Sequence, residues 1–153
     1  MFRVNDVPEI RGNRIRRWLS TEPAVSMIMA AVNFEWTVSR AIIILSPKPN
    51  MYLRSKLLEV HGLKKYNELW KAEVSRPSNM KNLTGVVTSW NSVKKAFEMR
   101  HKIVHGRDGC TANMATSHVE ALLKATAEIR DYCSSCGGNI HKKLPIRKKA
   151  VSV

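Results

Sequence analysis

Residues 84–106 read TGVVTSWNSVKKAFEMRHKIVHG. Apolar residues recur there at Val86, Trp90, Val93, Phe97 and Val104, in steps of three, four and seven, the pattern of a helix that buries one face. Where the stripe requires a residue near position 100, the chain supplies Arg100. His105 follows after four intervening residues, and Gly106 then provides a residue that tolerates the left-handed backbone of a helix end. The helix thus carries a permanent cation and a titratable imidazole into its own last turn.

Working outward, SRPSNMKNL (75–83) reads as a loop. Residues 50–74 read as a helix interrupted at Gly62, with Leu53, Leu57 and Val60 before the break and Leu63, Tyr66, Leu69 and Trp70 after it. Further upstream, Ser20 or Thr21 is placed to cap a helix with Pro23 in its first turn, and Pro47 and Pro49 stop it. Val25, Ile28, Met29, Val32, Trp36 and Ile43 form its apolar stripe, and it is expected to be the longest helix. Residues 1–20 mix Arg3, Arg11, Arg14, Arg16 and Arg17 with Val4, Ile10, Ile15, Trp18 and Leu19, which predicts a short basic segment lying on the body. Downstream, RDG at 107–109 makes a turn. A last helix is expected from about 112 to 134 on Met114, His118, Val119, Leu122, Thr126 and Ile129, ended by Gly137 and Gly138. From 139 to 153 the chain is expected to be a flexible basic tail, because HKKLPIRKKAVSV holds too little apolar surface to pack. No stretch alternates with period two, and no internal repeat occurs. The expected fold is all-α, an up-and-down bundle of four to five helices spanning 21–138.

The 153 residues suit one domain, and 44% hydrophobic with 25% charged residues is ordinary for a globular chain. The charge is not ordinary. Twenty-six Lys and Arg against twelve Asp and Glu give +14, an excess that attracts polyanions such as RNA, DNA or acidic lipid without choosing among them. The first residues lack the apolar core of a signal peptide, and no apolar run approaches the roughly eighteen residues a membrane span needs, so a cytoplasmic protein without a membrane is expected. Cys110, Cys133 and Cys136 are an odd number and make no disulfide framework, so reduced thiols are expected.

With twelve Arg and five His in the chain, chance alone supplies ~0.4 Arg–His pairs five positions apart, so the bare spacing is weak. Its setting adds to it: a polar residue directly after the Arg, apolar residues before the His, Gly after it, and a basic all-helical chain around it. Arg100-His101-Lys102-Ile103-Val104-His105 resembles the motif of the HEPN superfamily, which is Arg, a polar residue, three residues and His. The likeness covers the helical order from about 21 to 135 and a Phe34-Glu35 pair in the first long helix. It is specific at the motif and loose elsewhere. Within the family the chain looks most like the small stand-alone proteins of prokaryotic toxin and defence systems. Toxins of that family carry Tyr two positions after the motif His; Arg107 stands there instead, which argues against regulation by modification of that Tyr.

The resemblance implies RNA cleavage without metal or other cofactor, by a homodimer, and in a toxin setting a neutralising antitoxin protein. The residue types fit that chemistry independently. Attack of a ribose 2′-hydroxyl on the neighbouring phosphate needs a group that moves protons near pH 7 and a cation for the developing charge. His105 suits the first role and Arg100, planar and able to grip two phosphate oxygens, the second. His101 and Lys102 would assist, and Lys94, Lys95 and Arg107 are further candidate contacts to the RNA backbone. Read more plainly, those cations are a solvated face. Positions five apart differ by ~140° around a helix, so Arg100 and His105 of one copy point different ways, and two copies are expected to pool them across a twofold axis. Glu35, at the edge of the first long helix's stripe, is expected to have a cationic partner, either supporting the motif or purely structural.

Rival chemistries leave fainter marks. Glu98, His101 and His105 share a helical face and could hold Zn²⁺ or iron, but the second Glu-x-x-His helix of a two-metal bundle is missing. Cys133 and Cys136, with Cys110 and His141, could form a four-ligand zinc site or be ordinary thiols. Trp90 and Phe97 read as core rather than stacking platforms, and His118 as a core histidine. Three functional readings follow: the nuclease, a helical module that binds nucleic acid or protein without cutting, and a structural protein in which the motif is accidental.

Overall fold

A computed structural model describes residues 7–144. The fold is all-α, as the periodicities predict, and a bundle. Its elements are α1 (Pro8–Arg17), α2 (Pro23–Leu45), α3 (Asn50–Leu58), α4 (Leu63–Trp70), a π-helical turn (Lys71–Ser75), α5 (Arg76–Ser78), α6 (Leu83–Val86), α7 (Trp90–Val104) and α8 (Ala112–Ser135). Of the segment expected to be a loop at 75–83, residues 75–78 instead carry α4 onward through the π turn into α5, and 79–82 form the loop. It is held by Ser75 Oγ and Trp70 Nε1, which both donate to the Lys81 carbonyl (3.0 and 2.9 Å).

α2 is the axis of the bundle. It packs most extensively against α8, then against α7 and α1, and touches α3 and α4. Being enclosed on most sides, it buries small and polar residues that let neighbouring backbones approach: Ser26, Ala30, Ala31, Asn33, Thr37 and Ala41, beside Met27, Phe34, Val38 and Ile42. The stripe expected from its bulky residues is therefore largely the wrong face, and Val25 and Val32 are 39% and 41% exposed. Neither Ser20 nor Thr21 caps α2; Glu22 stands at the N-cap without a side-chain bond and Pro23 opens the helix. At 23 residues α2 is also one shorter than α8. By length and composition α2 could cross a membrane, contrary to the expectation that no run comes near this; Glu35 and Arg40 interrupt it, and 56% of its most apolar window is buried within the bundle.

Side-chain pairings fix the directions. Asn33 and Thr37 share a cavity with Leu123, Thr126 and Arg130, and Ile44 meets the turn at Gly138, so α2 and α8 run the same way. Thr88 bonds to Glu128 while Lys95 approaches His118, so α7 runs opposite to α8. Phe34 of α2 meets Phe97 of α7 edge to face, centroids 5.6 Å apart. α1 lies across α2 with Ile15 fully buried, its carbonyl accepting from Ser26 Oγ (2.7 Å), which realises the basic N-terminal segment as a docked helix.

Two glycine-bearing turns end the long helices in the same way. After α7, Gly106 N–H donates to Ile103 O (3.0 Å) and Arg107 N–H to Lys102 O (2.9 Å), with Gly106 at φ +62°. After α8, Gly137 and Gly138 repeat the pattern onto Ser134 and Cys133. A Cβ on Gly138 would sit 2.5 Å from Ile44 Cγ2, so the chain passes too close to α2 for any side chain.

The expectation of a non-packing tail from 139 is corrected in its first residues. Ile140 is buried, His141 stacks on Trp36, Leu144 packs on the core, and Arg40 donates to the carbonyls of Ile140 and Lys142. The rest of the tail, with Arg147, Lys148 and Lys149, lies outside the described residues, as does the start of the N-terminal segment with Arg3 and Val4.

Candidate functional site

α7 carries the motif, and its buried face runs through Val93, Ala96 and Met99, with Phe97 and Ile103 half-buried. Val104, expected on that face, is 53% exposed, because the helix proper begins at Trp90 and its inward phase falls one residue earlier at this end. Arg100 does lie inward. It is half-buried, and its Nε is shielded from solvent with no hydrogen-bond partner among the described residues.

Opposite Arg100 stands Glu35 of α2. Burial pushes the Glu35 carboxyl above its ordinary range, and the charge of Arg100, then of His61, pulls it partly back. The cationic partner expected for Glu35 is thus the motif arginine itself. Tyr66 of α4 joins the group: burial raises its phenol, the Ser39 hydroxyl 3.5 Å away opposes this, and Glu35 and Arg100 act on it with opposite signs. Gly62, at φ +83°, sets the start of α4 and brings His61 and Tyr66 to this corner. Sequence reasoning missed Tyr66, Ser39 and His61 here, because only packing brings α4 over the middle of α2.

Outward of Arg100 lies an open groove of 630 Å³. Lys94, Arg100, His101, Lys102 and Arg107 line it, together with Glu98 and a floor of Leu63, Trp90 and Phe97. Trp90 and Phe97 serve both as core and as groove wall. Arg107 reaches the groove because the Gly106 turn folds the chain back beside Lys102, whose Nζ lies 4.0 Å from Asp108. Lys95 is not part of the groove: it faces α8, where its charge and burial together depress the His118 imidazole, burial being the larger cause.

His105 lies just beyond the groove lining. It is exposed, and its ring centroid is 4.3 Å from that of His101, four residues earlier on the same face. Within one chain, Arg100 faces Glu35 and the groove while the two imidazoles form a pair at the lip. The helical offset between positions 100 and 105 accounts for this division.

The metal alternatives gain no geometry. No group of three or more His, Cys, Asp or Glu among the described residues is placed to hold an ion, which includes Glu98 with His101 and His105. Cys133 is buried in the core with its thiol pushed up to about 12 by burial and, less, by Cys136, whereas Cys136 is exposed and Cys110 lies at the other end of α8. His141 belongs to a different site, described below. No family model matches the chain, and no curated protein or solved structure matches it either.

Proposed function

We propose that the chain is a metal-independent endoribonuclease of HEPN type that works as a cytoplasmic homodimer, in a toxin or defence role. The observation that carries this reading is a half-buried Arg100, its charge acting on Glu35 of the neighbouring helix, opening onto a cationic groove whose lip bears the His101–His105 pair.

In this reading Lys94, Lys102 and Arg107 hold the RNA backbone, and Arg100 grips the non-bridging oxygens of the scissile phosphate. An imidazole at position 105 takes the proton from the 2′-hydroxyl, whose oxygen forms a new bond to phosphorus. The bond from phosphorus to the 5′-oxygen breaks, and that oxygen receives a proton from a second imidazole, His101 or His105 of the second copy. The products are a 2′,3′-cyclic phosphate and a 5′-hydroxyl. One copy separates its guanidinium from His105, so pairing two grooves brings the full set together. Val104, exposed beside His105, is an apolar contact available to such a pairing. In a toxin setting an antitoxin protein would cover the same groove.

A second reading keeps the groove and drops the chemistry. Its floor of Leu63, Trp90 and Phe97 suits a module that binds nucleic acid or a protein segment. Incubation of the pure chain with end-labelled RNA in excess chelator separates the two. Fragments ending in cyclic phosphate support the nuclease, whereas salt-sensitive binding with intact RNA supports the module.

A further inference from the structure

On the other side of α2, the segment after α8 closes a second cavity, of 170 Å³, against α1, α2 and α8. Asn33 and Thr37 face it while Glu35 between them faces Arg100, so the cavity and the groove lie on opposite sides of one helix. Its wall carries Arg11, Arg16, Arg130 and His141, with Glu9 the acidic residue among the described lining.

These groups are held in place. Arg11, only 3% exposed, lies 4.3 Å over the Trp36 ring and has its Nη2 2.9 Å from His141 Nδ1. Arg16 is fixed at the rim by two bonds to the Glu120 carboxylate, 2.7 and 2.9 Å. A guanidinium can only donate, so Nδ1 of His141 accepts and the ring proton resides on Nε2. That Nε2 is buried and has no acceptor among the described residues. Burial, then Arg11, Arg130 and Arg40, hold this imidazole below its ordinary pKa, in keeping with the neutral form. The wall therefore presents the guanidinium groups of Arg11, Arg16 and Arg130 beside a neutral His141, a concentration of donors and positive charge suited to an oxyanion rather than to a neutral ligand.

We propose that this cavity binds a phosphate dianion, free or as the terminal group of a small phosphate monoester, with Arg11 and Arg130 as its principal charged contacts and Arg16 at the mouth. At ~30 Å³ of liquid per water molecule the space matches about six waters, which accommodates one phosphate and its hydration but no attached base or sugar. A monoester would leave its organic part outside, past the exposed Glu9 and Arg16. Bound there, the anion would tie α1 and α8 to the His141 segment, a role separate from RNA cleavage.

The test is calorimetric titration of the full chain with inorganic phosphate, at ionic strength held constant with chloride. Arg130→Gln is compared with Lys124→Gln, which removes the same charge from an exposed position on the same helix outside the cavity. One-site saturable binding in the native chain and Lys124→Gln, weakened at least ten-fold in Arg130→Gln, is expected. If Arg130→Gln does not fold, Arg16→Gln on the exposed rim carries the same expectation. Absence of saturable binding, or equal binding in the cavity variant and Lys124→Gln, would overturn the proposal. Titration with adenosine 5′-monophosphate distinguishes the sources: tighter binding than inorganic phosphate assigns the ester, weaker binding the free ion.

Discussion

Glu35 of α2 and Arg100 of α7 face each other in the half-buried seam between those helices, and the guanidinium charge opposes the effect of burial on the carboxyl. The carboxyl nevertheless remains above its ordinary value of 4.5 in the folded chain, because burial outweighs Arg100 and His61. A raised folded-state pKa means that the folded state binds the proton more tightly than the unfolded one. The stabilisation from this group is complete below the ordinary glutamate range and is lost as pH rises through the folded value. Thermal denaturation of the native chain and Glu35→Gln from about pH 4 to pH 7 should therefore diverge, the native chain losing ground to the variant as pH rises. Parallel curves would remove the electrostatic account of this seam.

Arg100 should separate stability from function. Arg100→Met replaces a buried Nε that lacks a partner, so its melting temperature should stay within about 4 °C of the native value. RNA cleavage should fall by roughly 10² to 10³-fold, the scale for losing one donor at a developing charge. Arg100→Lys should rescue little, since a point charge cannot reproduce a two-pronged grip. A variant that unfolds instead would mark Arg100 as a structural ion.

Gly106 should be needed for its backbone. At φ +62° an alanine is strained by about 1–2 kcal/mol, lowering the melting temperature by about 2–8 °C. Gly85, within α6 and with open space around its Cα, should accept alanine without loss. Because the Gly106 turn also sets Arg107 and the lip, Gly106→Ala should weaken RNA binding as well, measured by fluorescence anisotropy.

The turns and helix ends were legible in the sequence because Gly62, Gly106 and the Gly137-Gly138 pair each break a periodic run, and α8 lies within a residue of its expected bounds. The face of α2 was not legible. Periodicity finds a buried side through bulky residues, whereas a helix enclosed on most sides buries Ala, Ser and Thr, and no pattern along one strand of sequence reveals that. The motif's cation and imidazoles could be read from their spacing, and so could their separation around the helix. Tyr66 and Ser39 could not, since their place beside Arg100 follows from how α4 crosses α2. The packing of 139–144 was missed because its anchors, Trp36, Arg40 and Arg11, lie about a hundred residues away or more in sequence.

Charge in the groove should act through counterions. Lys94→Gln, Lys102→Gln and Arg107→Gln should each flatten the dependence of log affinity on log salt by ~0.7 for single-stranded RNA. Lys95→Gln, which removes the same charge from the side facing α8, should leave the slope unchanged. Equal effects at all four positions would reduce the groove to a diffuse basic surface.

The sharpest trial of a shared site is to mix two dead proteins. Arg100→Met and His105→Ala, each inactive alone, are unfolded together, refolded and assayed for cyclic-phosphate products. If one copy supplies the guanidinium and the other the imidazole, the mixed dimers, about half of all dimers under random pairing, regain activity that neither parent has. A mixture as inactive as its parents, although mixed dimers form and the native chain cleaves RNA, would contradict the account.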